Sequence, residues 1–274
     1  MRMQAMAAII KKDIKSISDN IQIWLPLIIL PLVFVIIIPT VLIILAKTQN
    51  MSAVNGIDLI LKTLDKLPAH MEVHTFSDIN QKVLFLVLNS MFIPFFLLIP
   101  AMISSTTAAY SFAGEKEKKT LESLLYAPIS EKDLFVAKIL GPFIASTVVT
   151  IFCFICYGIV VDVLTYDIFG KLIFPRLNWL IVVFWLSPIL SIFAIFFNVY
   201  ISARVKGFQE AYQLGALIVL PIVVLLYSQL AGLLLLNNII LFLFGLVLLI
   251  VSTILIVKTG KSFTRNKLFL SQIK

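Results

Sequence analysis

The sequence predicts an all-α polytopic membrane protein with six transmembrane helices, and three observations carry that prediction. Of the 274 residues, 61% are hydrophobic and only 13% are charged, against about 45–50% and about 25% in soluble domains. The apolar residues gather into six runs near the roughly 20 residues that a bilayer crossing requires. The basic residues, which give a net charge of +8, sit in the short polar segments between those runs. There they act as topology signals and contacts for anionic lipid, which excludes a nucleic-acid partner.

Residues 1–23 carry Arg2, Lys11, Lys12 and Lys15 among Ile9, Ile10, Ile14, Ile17 and Ile21 at near-helical spacing. That is the pattern of an amphipathic interfacial helix. The apolar run that follows is too long for the core of a cleavable signal peptide and reads as a retained first span. The transmembrane domain is expected over 24–257, with spans at about 24–46, 83–108, 139–165, 177–201, 211–230 and 239–257. Between the first two spans lies a polar excursion, 47–82, in which Ile57, Ile60, Leu61, Leu64 and Leu67 share one helical face ending before Pro68. A charged segment occupies 109–138, a short polar loop 202–210 and a basic tail 258–274; the apolar stretch 231–238 is expected to dip back into the membrane. Sixteen of the 22 Lys and Arg residues fall in the first 23 residues, in 109–138, in 202–210 and in the tail. Positive charge marks the cytoplasmic side, so the N and C termini are expected to be cytoplasmic and 47–82 external.

Eight of the eleven prolines lie in or at the mouth of spans: Pro26, Pro31, Pro39, Pro94, Pro100, Pro142, Pro188 and Pro221. Each removes a helix hydrogen bond, and membrane helices tolerate this only where neighbours re-satisfy the backbone. No Asp, Glu, Lys or Arg falls near the middle of a span, and Asp162 is near an outer end. Ion-coupled transporters bury such a group at mid-membrane, so a channel or secondary transporter is the weaker alternative. Thr259-Gly260-Lys261-Ser262 ends like a phosphate loop, but the glycine required five residues earlier is Leu255. His70 and His74, flanking Glu72, are too few for a metal site. Cys153 and Cys156 lie in an apolar run and read as packing thiols.

The most informative segment joins spans 2 and 3. Glu115 to Glu122 is densely charged with both signs, Leu121, Leu124 and Leu125 add an apolar edge, and Pro128 forces a stop. Ser130 and Asp133 form a capping box that starts the next helix. A short helix, a turn and a capped helix make a rigid element suited to docking a soluble partner. This segment resembles the signature of the type-2 ATP-binding-cassette (ABC) exporter permeases in order and spacing: Glu115-Lys116-Glu117, Thr120-Leu121-Glu122, Leu124-Leu125, Pro128-Ile129-Ser130 and Lys138. Lys119 departs from it, since many members carry glycine there. The loop from Ser202 to Ala211 is similar, more weakly, to the family's second cytoplasmic loop.

The resemblance implies a permease subunit of an ATP-driven ABC exporter in a plasma membrane, of prokaryotic type. It implies a second permease chain, identical or similar, and an ABC ATPase subunit that binds ATP and Mg; the chain itself needs no cofactor. It assigns ATPase coupling to Glu115, Glu117, Thr120, Leu121, Glu122, Leu125 and Pro128, with the glutamates pairing to the ATPase, and a second cytoplasmic contact to Arg204, Lys206 and Glu210. Ser104, Ser105, Thr106, Thr107 and Asn198 are candidates for the translocation path or for helix packing. The substrate is unspecified, with apolar spans favouring a hydrophobic or amphipathic one. A non-transporting, ATPase-coupled scaffold or sensor is the other alternative.

Overall fold

The computed structural model describes residues 2–49, 58–65, 72–118, 130–205, 207–231 and 237–260. Thr120, Leu121, Glu122, Leu125, Pro128, Lys206, His70, most of the 231–238 stretch and the tail beyond Gly260 lie outside them.

The expected all-helical architecture is observed. Among the described residues, six helices are long and apolar enough to cross a membrane. α1 (Arg2–Ser18) precedes the first of them, α2 (Ile23–Thr48). A short helix, α3 (Asp58–Asp65), then leads to α4 (Ile79–Glu117), α5 (Lys132–Phe169), α6 (Leu177–Ser202), α7 (Phe208–Leu230) and α8 (Asn238–Thr259). α4 is the central helix: 78% of its apolar window is buried, against 22% for α2 and α8. The other helices surround it and turn apolar side chains such as Val148, Phe152, Val224 and Val247 outward.

Two helices outlast their apolar stretches. α4 continues through the charged residues to Glu117, and α5 begins directly behind Ser130. The Ser130 hydroxyl accepts the Asp133 amide at 3.1 Å and donates to the Asp133 carboxylate at 2.6 Å. The capping pattern thus acts as its sequence predicts.

Three prolines follow widened turns, while Pro26, Pro31, Pro100 and Pro142 lie inside α-helices. π-helical turns occur at Val33–Ile37, Val87–Met91 and Val182–Leu186. Each contains the residue four before a proline, Val35, Ser90 and Phe184 for Pro39, Pro94 and Pro188. A proline ring clashes with that carbonyl in an α-helix, and widening the turn relieves the clash. A fourth π-turn, Tyr110–Gly114, has no such proline.

An aromatic cluster forms the centre of the bundle. Tyr157 of α5 stacks on Trp179 of α6 at 4.7 Å and on Phe92 of α4 at 5.2 Å, and Phe96 meets Trp179 edge-on at 5.2 Å. Interlocking shape, more than hydrophobicity, holds helices together in lipid. At the end of the bundle opposite Glu117, Glu72 accepts hydrogen bonds from Lys171, at 2.6 Å, and from Arg176. Lys171 and then Arg176 hold the Glu72 carboxyl below the usual carboxylate range. A carboxyl whose folded pKa lies below its unfolded value stabilises at neutral pH and loses that contribution as pH falls. Acidification through and below the usual carboxylate range is therefore expected to release the Glu72–Thr75 turn, read as a loss of amide protection there relative to the intrinsic exchange rate at each pH, and Glu72→Gln should show low protection at neutral and acid pH alike.

Candidate functional site

α1 presents Ile9, Asp13 and Ser16 along one face at i, i+4 and i+7. Ile9, 5% exposed, packs on Leu134 and Ala137 of α5. That packing carries Asp13 into the junction of α4 and α5. There the Ser111 hydroxyl donates to Asp13 Oδ2 at 2.6 Å, and Lys138 Nζ lies 4.0 Å from the same carboxylate. Lys138, fully buried, donates to Ser111 O at 2.8 Å and to Glu115 Oε2. Lys12 pairs with the other Glu115 oxygen. Two acids and two bases from three helices thus neutralise one another where α4 leaves the bundle. Burial pushes the Asp13 carboxyl above its ordinary range, opposed by Lys138 and by Ser111. Burial alone would lower Lys12, but Glu115 outweighs it and raises its pKa.

Directly after Glu115, the same helix grips the α6–α7 loop. Lys116 Nζ donates to Val205 O at 3.0 Å. Glu117 Oε2 accepts the amide of Phe208, the first residue of α7, at 2.8 Å, capping from another helix an end that its own sequence leaves open. Gly207 permits this approach, because a Cβ there would meet that oxygen at 2.8 Å. Tyr110 adds a further tie: its hydroxyl lies 3.1 Å from Ser16 Oγ and accepts from Lys118 at 2.8 Å.

Glu115, Glu117 and the described part of the 202–210 loop are therefore brought together. Glu115 is turned inward, 7% exposed and engaged by both lysines. Arg204 and Glu210 are exposed, and the Arg204 guanidinium lies 3.8 Å from the centre of the Tyr200 ring.

The polar residues of α4 and α6 are interior. Ser104, Ser105, Thr106, Thr107 and Asn198 are all buried. Asn198 Nδ2 donates to Ser105 Oγ at 2.7 Å and to Ala194 O at 3.0 Å, and Thr107 returns its hydroxyl to Ile103 O at 2.6 Å. α7 closes over this pair through Gly215, where a Cβ would lie 2.5 Å from Asn198 Oδ1 and 2.7 Å from Ser105 Oγ. The bond between Asn198 and Ser105 joins α6 to α4, while that of Thr107 stays within α4.

The family model of ABC-2 family transporter proteins matches residues 7–243. The chain belongs to the ABC-2 transporter family. No curated protein and no solved structure gives a significant match. An ABC-2 permease is a transport subunit of an ABC system, and the interior of this one is organised around α4. Among its described residues, no cluster of three or more His, Cys, Asp or Glu is placed to hold a metal ion. Cys153 and Cys156 are free thiols.

Lys12, Asp13 and Ser111 of this ABC-2 permease carry no recognisable signal in the sequence. Lys12 and Asp13 read as part of a surface helix, and Ser111 as a loop residue. Lys138 closes the motif in the sequence, but its role as the buried counter-charge emerges only in three dimensions. A lysine seven residues into a capped helix, at the edge of an apolar run, is the one local hint.

Proposed function

We propose that this ABC-2 permease is the membrane-spanning half of an ATP-driven exporter, with both termini on the cytoplasmic side of a plasma membrane and α1 lying along its inner surface. It pairs with a second permease chain. A separate ABC ATPase subunit, holding ATP and Mg, docks on the segment 119–129 through Thr120, Leu121, Glu122 and Leu125, with Pro128 ending the docking helix. Arg204, Lys206 and Glu210 add a second contact. The largely apolar positions expected to line the path favour a hydrophobic or amphipathic substrate.

The observation that carries this reading is how the base of that segment is built. On one side Glu115, Lys116 and Glu117 tie it to α1, α5 and the α6–α7 loop; on the other, Ser130 caps α5. Force applied to 119–129 therefore enters four helices at once. The role of Glu115 is to position the segment from within, which leaves the ATPase to Glu122 and the leucines.

Co-purification of the full chain in mild detergent, with and without Leu121→Asp and Leu125→Asp, tests the reading. The parent is expected to bring down a nucleotide-hydrolysing subunit in stoichiometric amount. The double variant should remain in the membrane and lose at least about 90% of it, because a charge facing an apolar cleft costs several kcal/mol. A parent that brings down no ATPase overturns the proposal.

A further inference from the structure

The π-turn at Val87–Met91 differs from the other proline-linked turns in how its backbone is satisfied. Phe92 N donates to Val87 O, five residues back, at 2.9 Å. Continuing that register would assign Asn89 O to residue 94, and the ordinary α register would assign Ser90 O to residue 94. Residue 94 is proline, with no N–H to give. Between that bond and the one from Phe96 N to Phe92 O, the four carbonyls of residues 88–91 face only the amides of Ile93 and Phe95, so two of them lack a backbone donor inside a bundle that offers no bulk water in exchange.

Side chains supply what is missing. Asn178 Nδ2 of α6 donates to Asn89 O at 2.6 Å, and Gln229 Nε2 of α7 donates to Ser90 O at 3.2 Å. The preceding carbonyl, Leu88 O, receives the Tyr157 hydroxyl of α5 at 2.8 Å. Successive carbonyls of a helix point about 100° apart, and here each of three meets a different neighbouring helix. Tyr157 and Gln229 are 0% and 2% exposed, so these two donors are themselves held in place by packing. Among the described residues, no side chain donates to a carbonyl of Val33–Ile37 or Val182–Leu186.

We propose that Val87–Met91 is the bending point of α4, and that Tyr157, Asn178 and Gln229 are positioning residues that hold it at a set angle. The helix from Ile93 to Ala109 then tilts as one rod about this turn. Breaking and remaking two amide-to-carbonyl bonds is the local cost of a tilt, small enough for a reversible movement. The consequence for transport rests on the proposed coupling role: the far end of the rod, Ala109, lies about 28 Å along the helix from Ser90, so a tilt of about 10° moves that end by roughly 5 Å. The hinge itself does not depend on that role.

The test is amide hydrogen exchange at Phe92–Phe96 of the full chain in lipid nanodiscs, for the parent, Gln229→Leu, Pro94→Ala and the double variant. Gln229→Leu is expected to accelerate exchange about tenfold, the loss of one hydrogen bond of ordinary net strength. In the Pro94→Ala background the same change should add less than about twofold, because the restored N–H serves Ser90 O. Equal acceleration in both backgrounds would make Gln229 a packing residue and overturn the hinge. Where Gln229→Leu fails to fold, Gln229→Met, closer in shape and equally without a donor, runs the same cycle on Ser90 O with and without Pro94→Ala. With the co-purified ATPase present, ATP should change exchange at the turn in the parent and not in Pro94→Ala; no change in the parent refutes the bending role. A chain that recruits no ATPase removes only this nucleotide arm and leaves the exchange cycle readable, so the hinge and the exporter reading fail separately.

Discussion

Lys138→Met is expected to destabilise the folded chain by about 3–5 kcal/mol, the usual effect of removing one partner from a buried ion pair. Lys138 is fully buried and bonds Glu115 and Ser111 O, 4.0 Å from Asp13. Without it, Glu115 loses its fully buried partner while its bond to the half-exposed Lys12 remains, and Asp13 loses its buried counter-charge. The free thiols of Cys153 and Cys156 provide the measurement, since a thiol-reactive dye reports the temperature at which they become accessible. That temperature should fall sharply in Lys138→Met. It should recover in large part in Lys138→Met/Glu115→Leu, because removing both members of a buried pair is far less destabilising than removing one. An unchanged temperature in the single variant would mean that the network contributes nothing to stability.

Gly215→Ala is expected to destabilise by about 1–3 kcal/mol, the range for overpacking a close-fitted interior. The added carbon would lie 2.5 Å from Asn198 Oδ1 and 2.7 Å from Ser105 Oγ. Both belong to a buried hydrogen-bonded pair joining α6 to α4, so neither yields without breaking it. Gly141→Ala is the opposite case. It lies within α5 with nothing within 4 Å of the new carbon, and helix propensity alone should stabilise it by up to about 1 kcal/mol. Opposite shifts in the same dye assay support this reading, and equal shifts refute the close approach of α7.

What was legible in the sequence follows the range of the forces involved. The six apolar helices were legible because a bilayer crossing needs one continuous apolar run, which composition displays directly. The Ser130 cap was legible because it spans three residues. The far end of α4 was not. Glu115, Lys116 and Glu117 read as a short helix separate from span 2, yet α4 carries them onward without a break because their partners come from α1, α5 and the α6–α7 loop, remote in sequence. The prolines announced where α-helical bonding must fail, and three π-turns sit four residues before them. That only Val87–Met91 receives donors from three other helices was invisible, since Tyr157, Asn178 and Gln229 look like ordinary polar residues of their own spans.

The sequence by itself determined the class of this protein, its six apolar helices and, through the motif from Glu115 to Lys138, its family, because each rests on hydropathy or on spacing within one segment. Only the tertiary structure decided that Glu115 faces inward, that Asp13 and Lys138 share its charge network, and that Ser105 and Asn198 pack helices. Each of these depends on which side chains from distant segments share a space closed to water. In such a space a charge or a polar group must find its partner within the chain, and the order of residues along that chain does not say which partner it will be.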